Sequence, residues 1–131
     1  MYHEFDFFTH MYEPKKQLRS FKFAWKGIMT CAGHEQNITF HLIAATAVVI
    51  AGFAFRITPV EWMIALICIG MVITAELFNS AIERLVDLVS PEWNKIAGEV
   101  KDIAAGAVLV SAIAAAIVGV IIFVPYLLRL C

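Results

Sequence analysis

Trp62–Val89 reads WMIALICIGMVITAELFNSAIERLVDLV. From Trp62 to Ala75 it carries no charged residue, and the helical pattern then continues to about Val89. A helix needs about 20 mostly apolar residues to cross a bilayer core. This segment therefore crosses only by taking Glu76 and Asn79 into the membrane. With Glu76 at zero on a helix of 3.6 residues per turn, Asn79, Glu83 and Asp87 fall at about 300°, 340° and 20°. All four share one arc of about 80°. Ionisable groups inside a spanning helix are costly and mark functional paths. The expected result is a ladder of polar groups on one face, with Glu76 deepest and Asp87 near water.

Working outward, two more apolar runs flank it. Ile38–Phe55 has no formal charge and one histidine, His41, and Ile103–Leu128 has no charged residue. Arg56–Glu61 reads as a short connection broken at Pro59, with Trp62 as an interfacial anchor. Ser90–Pro91 ends the second helix, because the residue before proline avoids the helical region. The expected spans are residues 38–57, 62–89 and 102–128, with Asp102 near the start of the third and Pro125 near its exit. Lys15–Ala32 has another pattern: Leu18, Phe21, Trp25, Ile28, Met29 and Ala32 fill one apolar arc of about 100°, flanked by basic residues. That is the signature of a helix lying in the membrane interface, over residues 14–33. Residues 1–13, with Glu4 and Asp6 among aromatics, read as a tail and not as a signal peptide. Residues 14–131 read as one membrane domain.

Composition agrees. Of 131 residues 61% are apolar and 16% charged, whereas soluble domains run at roughly 45–50% apolar. A chain this short cannot hide so much apolar surface in a soluble core. The net charge of −1 and the lack of aromatic–basic interleaving argue against a nucleic-acid partner. Cys31, Cys68 and Cys131 are odd in number and unpaired in spacing, so they read as free thiols with neither a disulfide framework nor a zinc site. Lys15, Lys16, Arg19, Lys22 and Lys26 precede the first span, and Arg84, Lys95 and Lys101 surround the second connection; only Arg56 and Arg129 lie on the other side. The positive-inside rule then puts the N-terminus and the second connection in the cytoplasm. In the third span Ser111, Ala115 and Gly119, with Ala112 and Ala116, form a small-residue face of the kind that admits close helix packing.

The acidic ladder supports two functional readings and a structural one. In the first it handles a divalent cation and a phosphate donor: Glu83 supplies oxygen ligands to magnesium, and Glu76 accepts a proton from a lipid hydroxyl. In the second the chain is a small proton- or cation-coupled transporter using Glu76. In the third the polar groups only hold helices together. Glu35, Lys101 and Asp102 fall at the cytoplasmic depth of the ladder, and a lysine beside acids suits a metal–triphosphate complex, since phosphoryl transfer is mostly positioning and charge neutralisation. There is no G-x-x-x-x-G-K-[ST] or G-x-G-x-x-G sequence, so no standard nucleotide fold is indicated. His41 has no Cys or His at ligand spacing and reads as a packing or hydrogen-bonded residue.

The run Ile73–Ala112 resembles the signature of the small prokaryotic diacylglycerol kinases and the related undecaprenol kinases. The core of the match is Glu76-x-x-Asn79-Ser80-Ala81-Ile82-Glu83, then Asp87, then Lys101-Asp102, with Phe21–Gly27 (FKFAWKG) and Glu35 fitting the N-terminal part. The resemblance spans roughly residues 18–125. It implies an all-α membrane protein with three transmembrane helices and an interfacial helix, a trimeric bundle with active sites between subunits, in the bacterial cytoplasmic membrane. It implies ATP- and Mg2+-dependent phosphorylation of a membrane lipid alcohol, diacylglycerol or undecaprenol. By motif position Glu76 looks like the catalytic base with Asn79 beside it. Glu35 and Glu83 look like ligands of the magnesium held with ATP, and Glu92, Asn94, Lys101 and Asp102 like nucleotide contacts. Asn94 stands where many relatives have histidine, and Thr39 where a basic residue is common. Asn37–His41 and the Ser90–Glu92 loop are more similar to the undecaprenol-kinase branch.

Overall fold

The computed structural model describes residues 14–34 and 36–130, and over them the chain is helical apart from short connections. The helices are α1, Pro14–His34; α2, Gln36–Phe55; α3, Pro59–Val89; and α4, Lys95–Leu128. The N-terminal tail expected over residues 1–13 lies outside the described residues. They group into two units, α1 by itself and α2–α4 together. The helix expected over 14–33 is present as α1, and its exposed side chains include Leu18, Phe21, Trp25 and Met29.

In the second unit α3 is central, packing along α4 extensively and against α2 over a shorter length. At 1.5 Å per residue, the 20 residues of α2 span about 30 Å, the thickness of a bilayer core. The 31 residues of α3 and the 34 of α4 run about 46 and 51 Å. α2 and α3 meet in a tight turn, so the excess length of α3 projects beyond α2 at the far end. All three helices are long and apolar enough to cross a membrane, yet only 11%, 17% and 11% of their most apolar windows are buried. Phe53, Ile67 and Ile121 are each about two-thirds exposed or more. A surface of that kind matches hydrocarbon, where helices satisfy their own backbone groups.

The turn after α2 is defined by specific bonds. Arg56 has φ 52°, Ile57 N donates to Gly52 O at 3.1 Å and Arg56 N to Phe53 O at 3.3 Å. This is the paired-bond stop in which a left-handed residue satisfies the last carbonyls, a place that favours glycine. Arg56 holds it against the steric penalty of a Cβ at positive φ. Arg56→Gly is therefore expected to raise stability by about 1 kcal/mol, read as a higher midpoint of thermal unfolding in detergent; a lower midpoint would mean that the guanidinium contributes more than the backbone strain costs.

α3 starts at a capping box: Thr58 Oγ1 accepts from Glu61 N at 3.3 Å, and Thr58 N donates to Glu61 Oε2 at 2.7 Å. The same Glu61 oxygen accepts from Tyr126 Oη at 2.7 Å, tying the end of α4 to the turn. Nearby, Ile57, Ala65 and Ile122 form a buried core flanked by Phe55, Trp62, Phe123 and Tyr126. Val89 is the last residue of α3, Ser90 N still donating to Val86 O at 2.8 Å before Pro91.

Two features differ from the sequence reading. α4 begins at Lys95, seven residues before 102, because Asn94 caps it, its Oδ1 accepting from Ile96 N and Ala97 N at 2.9 and 3.2 Å. The apolar count finds only the lipid-like part of such a helix, whereas its first two turns are polar. Second, Gly52 on α2 makes a close contact that the small-residue pattern did not point to. A Cβ at Gly52 would lie 2.7 Å from the Trp62 ring and 3.2 Å from Ile57 Cδ1, whereas one at Gly119 meets nothing within 4 Å. The Trp62 ring is itself held against Phe53, centroids 4.9 Å apart. Gly52→Leu is expected to displace the indole and cost about 1–3 kcal/mol by overpacking, with a red-shifted Trp emission and a lower unfolding midpoint. An unchanged midpoint would contradict this packing.

Candidate active site

Along the polar face of α3, burial within the protein falls from Glu76 to Asp87. Glu76 is 2% exposed and Asn79 5%; Glu83 is half-buried and Asp87 exposed. The periodicity that places them on one face also brings Asn79 Nδ2 to within 3.5 Å of Glu83 Oε1. Asn79 Oδ1 is buried, with no hydrogen-bond partner among the described residues. Ser80, adjacent, is buried as well.

Glu76 meets a residue from another helix. His41 Nε2 on α2 lies 3.2 Å from Glu76 Oε1. The pairing follows from helix register: His41 lies 14 residues before the end of α2 and Glu76 17 residues after Pro59, the start of α3, so they stand about 21 and 26 Å from the two helix ends that meet at the turn. The sequence reading allowed His41 a hydrogen bond but did not find the partner. The available signal was that His41 is the one titratable residue of an otherwise apolar run at comparable distance from the turn.

At the far end, Lys101 Nζ of α4 pairs with Asp87 Oδ1 at 2.8 Å. This places the lysine at the outer end of the acidic ladder. Asp102 and Glu92 are exposed, and Glu92 O accepts from Ser90 Oγ at 3.3 Å, which shapes the loop. Asn94, expected at the nucleotide, has its side-chain oxygen occupied as the cap of α4. Glu35 lies outside the described residues. No group of three or more His, Cys, Asp or Glu side chains suited to a metal occurs among the described residues.

An apolar groove of about 450 Å3 runs between α2 and α4 over one face of α3. It extends from Ala65 and Ile122 near the turn to His41, Ile73 and Ala112. Its His41 end therefore adjoins Glu76.

A buried carboxylate held by an imidazole, an orphan amide oxygen beside a second carboxylate, and a lysine at the aqueous end of the same face make a site on a membrane-type helical scaffold. Scaffold and polar set together fit a membrane-type helical protein with a polar site at one end of its bundle. The chain belongs to the prokaryotic diacylglycerol kinase family, whose model matches residues 22–123; it is thus a member of a family of lipid kinases. It is 42% identical over 118 residues to the undecaprenol kinase of Bacillus subtilis (strain 168), covering 90% of this chain and 96% of that one. It is 36% identical over 114 residues to a diacylglycerol kinase of Synechocystis sp., covering 86% of this chain and 65% of that protein. To the diacylglycerol kinase of Escherichia coli (strain K12) it is 26% identical over 95 residues, 72% of this chain and 78% of that one. Family membership implies a nucleotide phosphate donor and does not favour the transporter reading.

Proposed function

We propose that the protein transfers the γ-phosphate of ATP to the hydroxyl of a membrane lipid alcohol, and that the alcohol is undecaprenol or diacylglycerol. The observation that carries this reading is the buried Glu76, held by His41 at the end of an apolar groove. Hydrocarbon suits the groove, and a hydroxyl at its polar end would meet the carboxylate. Counted from Trp62, Glu76 lies about 21 Å into a core of about 30 Å, on the side where a lipid headgroup enters. The similarity to the Bacillus subtilis undecaprenol kinase favours the polyprenyl alcohol.

In this mechanism Glu76 takes the hydroxyl proton as the lipid oxygen forms its bond to the γ-phosphorus and the bond from that phosphorus to the departing ADP oxygen breaks. Asn79 lies one turn further along the same face and presents its buried Oδ1. Its neighbour Glu83, together with Glu35, would hold magnesium; an amide oxygen and a carboxylate are the hard oxygen donors this ion takes alongside substrate phosphates. When bound, magnesium neutralises charge on the phosphates. Lys101 would add positive charge on the nucleotide side, with Asp102, Glu92 and the remaining amide of Asn94 around it. The N-terminus and the α3–α4 connection would face the cytoplasm across the bacterial inner membrane, following the basic residues that flank them. In this arrangement α1 lies in the interface, and three copies assemble the bundle.

The deciding experiment offers diacylglycerol and undecaprenol side by side in mixed micelles with labelled ATP and magnesium. A labelled lipid is the expected product, with undecaprenol preferred. No product with either lipid, from protein shown to be folded, would sink the reading. Mass measurement of the detergent complex checks the trimer.

A further inference from the structure

We propose that His41 is a positioning residue for Glu76, which it orients by donating its Nε2–H to Glu76 Oε1. The role assigned to Glu76 rests on the lipid-kinase reading, whereas the pairing rests on geometry alone.

Three observations carry it. Glu76 is 2% exposed, so its ionised form has lost most of its hydration, a loss that only donors or opposite charge can offset in an apolar setting. Among the described residues, His41 is a side chain placed to supply such a donor, at 3.2 Å and itself 18% exposed. It comes from α2, so the contact fixes the carboxylate relative to a second helix as well as its own. A glutamate side chain rotates about three bonds. An N–H from across the helix pair selects one orientation, and the ring edge against Phe40, with centroids 5.7 Å apart, restrains the imidazole in turn.

The same imidazole lines the polar end of the apolar groove. It therefore joins the wall of the groove to the carboxylate. When Glu76 takes the hydroxyl proton, the N–H contact from His41 persists, so the oriented state serves both before and after transfer. Misplacement of a reacting group by about 1 Å can cost on the order of 100-fold in rate. The effect should fall on kcat and leave KM for lipid and ATP nearly unchanged, because His41 holds the base and not the substrates.

The geometry also specifies which replacement works. Glutamine carries its N–H at the reach of Nε2, whereas asparagine carries it at the reach of Nδ1, one bond too short. The test measures kcat and both KM values for the wild type, His41→Leu, His41→Asn, His41→Gln and Glu76→Gln, each checked for unchanged elution and unfolding midpoint in detergent. H41L and H41N are expected to lose kcat by about 30-fold, within the range seen when a supporting partner is removed, while H41Q stays within about 3-fold of wild type. A second readout needs no turnover: the infrared carboxylate band that E76Q abolishes should shift in H41L and H41N and hold in H41Q.

A wild type that phosphorylates neither lipid, with the band nonetheless shifting as described, would end the lipid-kinase reading and keep the pair. Turnover that is lost in E76Q yet retained in H41L and H41N would overturn the role of His41 alone. Equal losses in all three His41 variants, or a band indifferent to them, would likewise overturn it.

Discussion

Glu76→Gln is expected to lower lipid phosphorylation by about 100- to 10,000-fold, the range for loss of a positioned general base. Glutamine matches the carboxylate in size, and its amide oxygen can still accept from His41, so the packing of α3 against α2 is kept. What disappears is the capacity to take a proton from the lipid hydroxyl. The KM values should therefore change little while kcat collapses. Stability should be unchanged or higher, since replacing a buried charge by a neutral group of similar volume is often neutral or stabilising. That combination, a stable fold without turnover, separates a base from a structural polar cluster. A Glu76→Gln protein with near-wild-type turnover would remove Glu76 from the chemistry.

Lys101→Ala carries the second large effect. The Lys101 ammonium is 2.8 Å from Asp87 at the outer end of the acidic face, and its proposed task is to meet the charge of the nucleotide. Its removal is expected to lower kcat/KM for ATP by about 100-fold, or about 2.7 kcal/mol of transition-state stabilisation, with KM for the lipid unchanged. Asp87→Asn is the control. It loosens the pair but leaves the ammonium, so it should reduce kcat/KM for ATP only a few-fold. If the lysine served merely to join α3 to α4, both variants would lose activity together and the nucleotide role would fail.

Much of this protein was legible from residue order. The ladder Glu76, Asn79, Glu83 and Asp87 was readable because helical period alone decides which positions share a face, whereas how far each is buried depends on the helices packed against it. Pro59, read as the break in the connection before 62, is instead the first residue of α3. The start of α4 was misplaced at 102 because Asn94, Lys95 and Glu99 are polar, and an apolar count stops where the hydrocarbon stops although the hydrogen-bonded helix does not.

Contacts between helices were not legible in this way. The close contact of the Trp62 ring with Gly52 on α2 had no signal in the small-residue pattern of α4. Asn94 caps α4 through its side-chain oxygen, a role the residue pattern did not single out.

The sequence by itself determined the solvent this chain is written for, the number of its spanning helices and the acidic face of α3, because hydropathy and helical period are properties of each segment alone. Only the tertiary structure decided that His41 meets Glu76, that Lys101 meets Asp87 and that Tyr126 closes on Glu61. Each of these pairs joins different helices, and its existence depends on their relative rotation and register, which arise from side-chain packing across the interface.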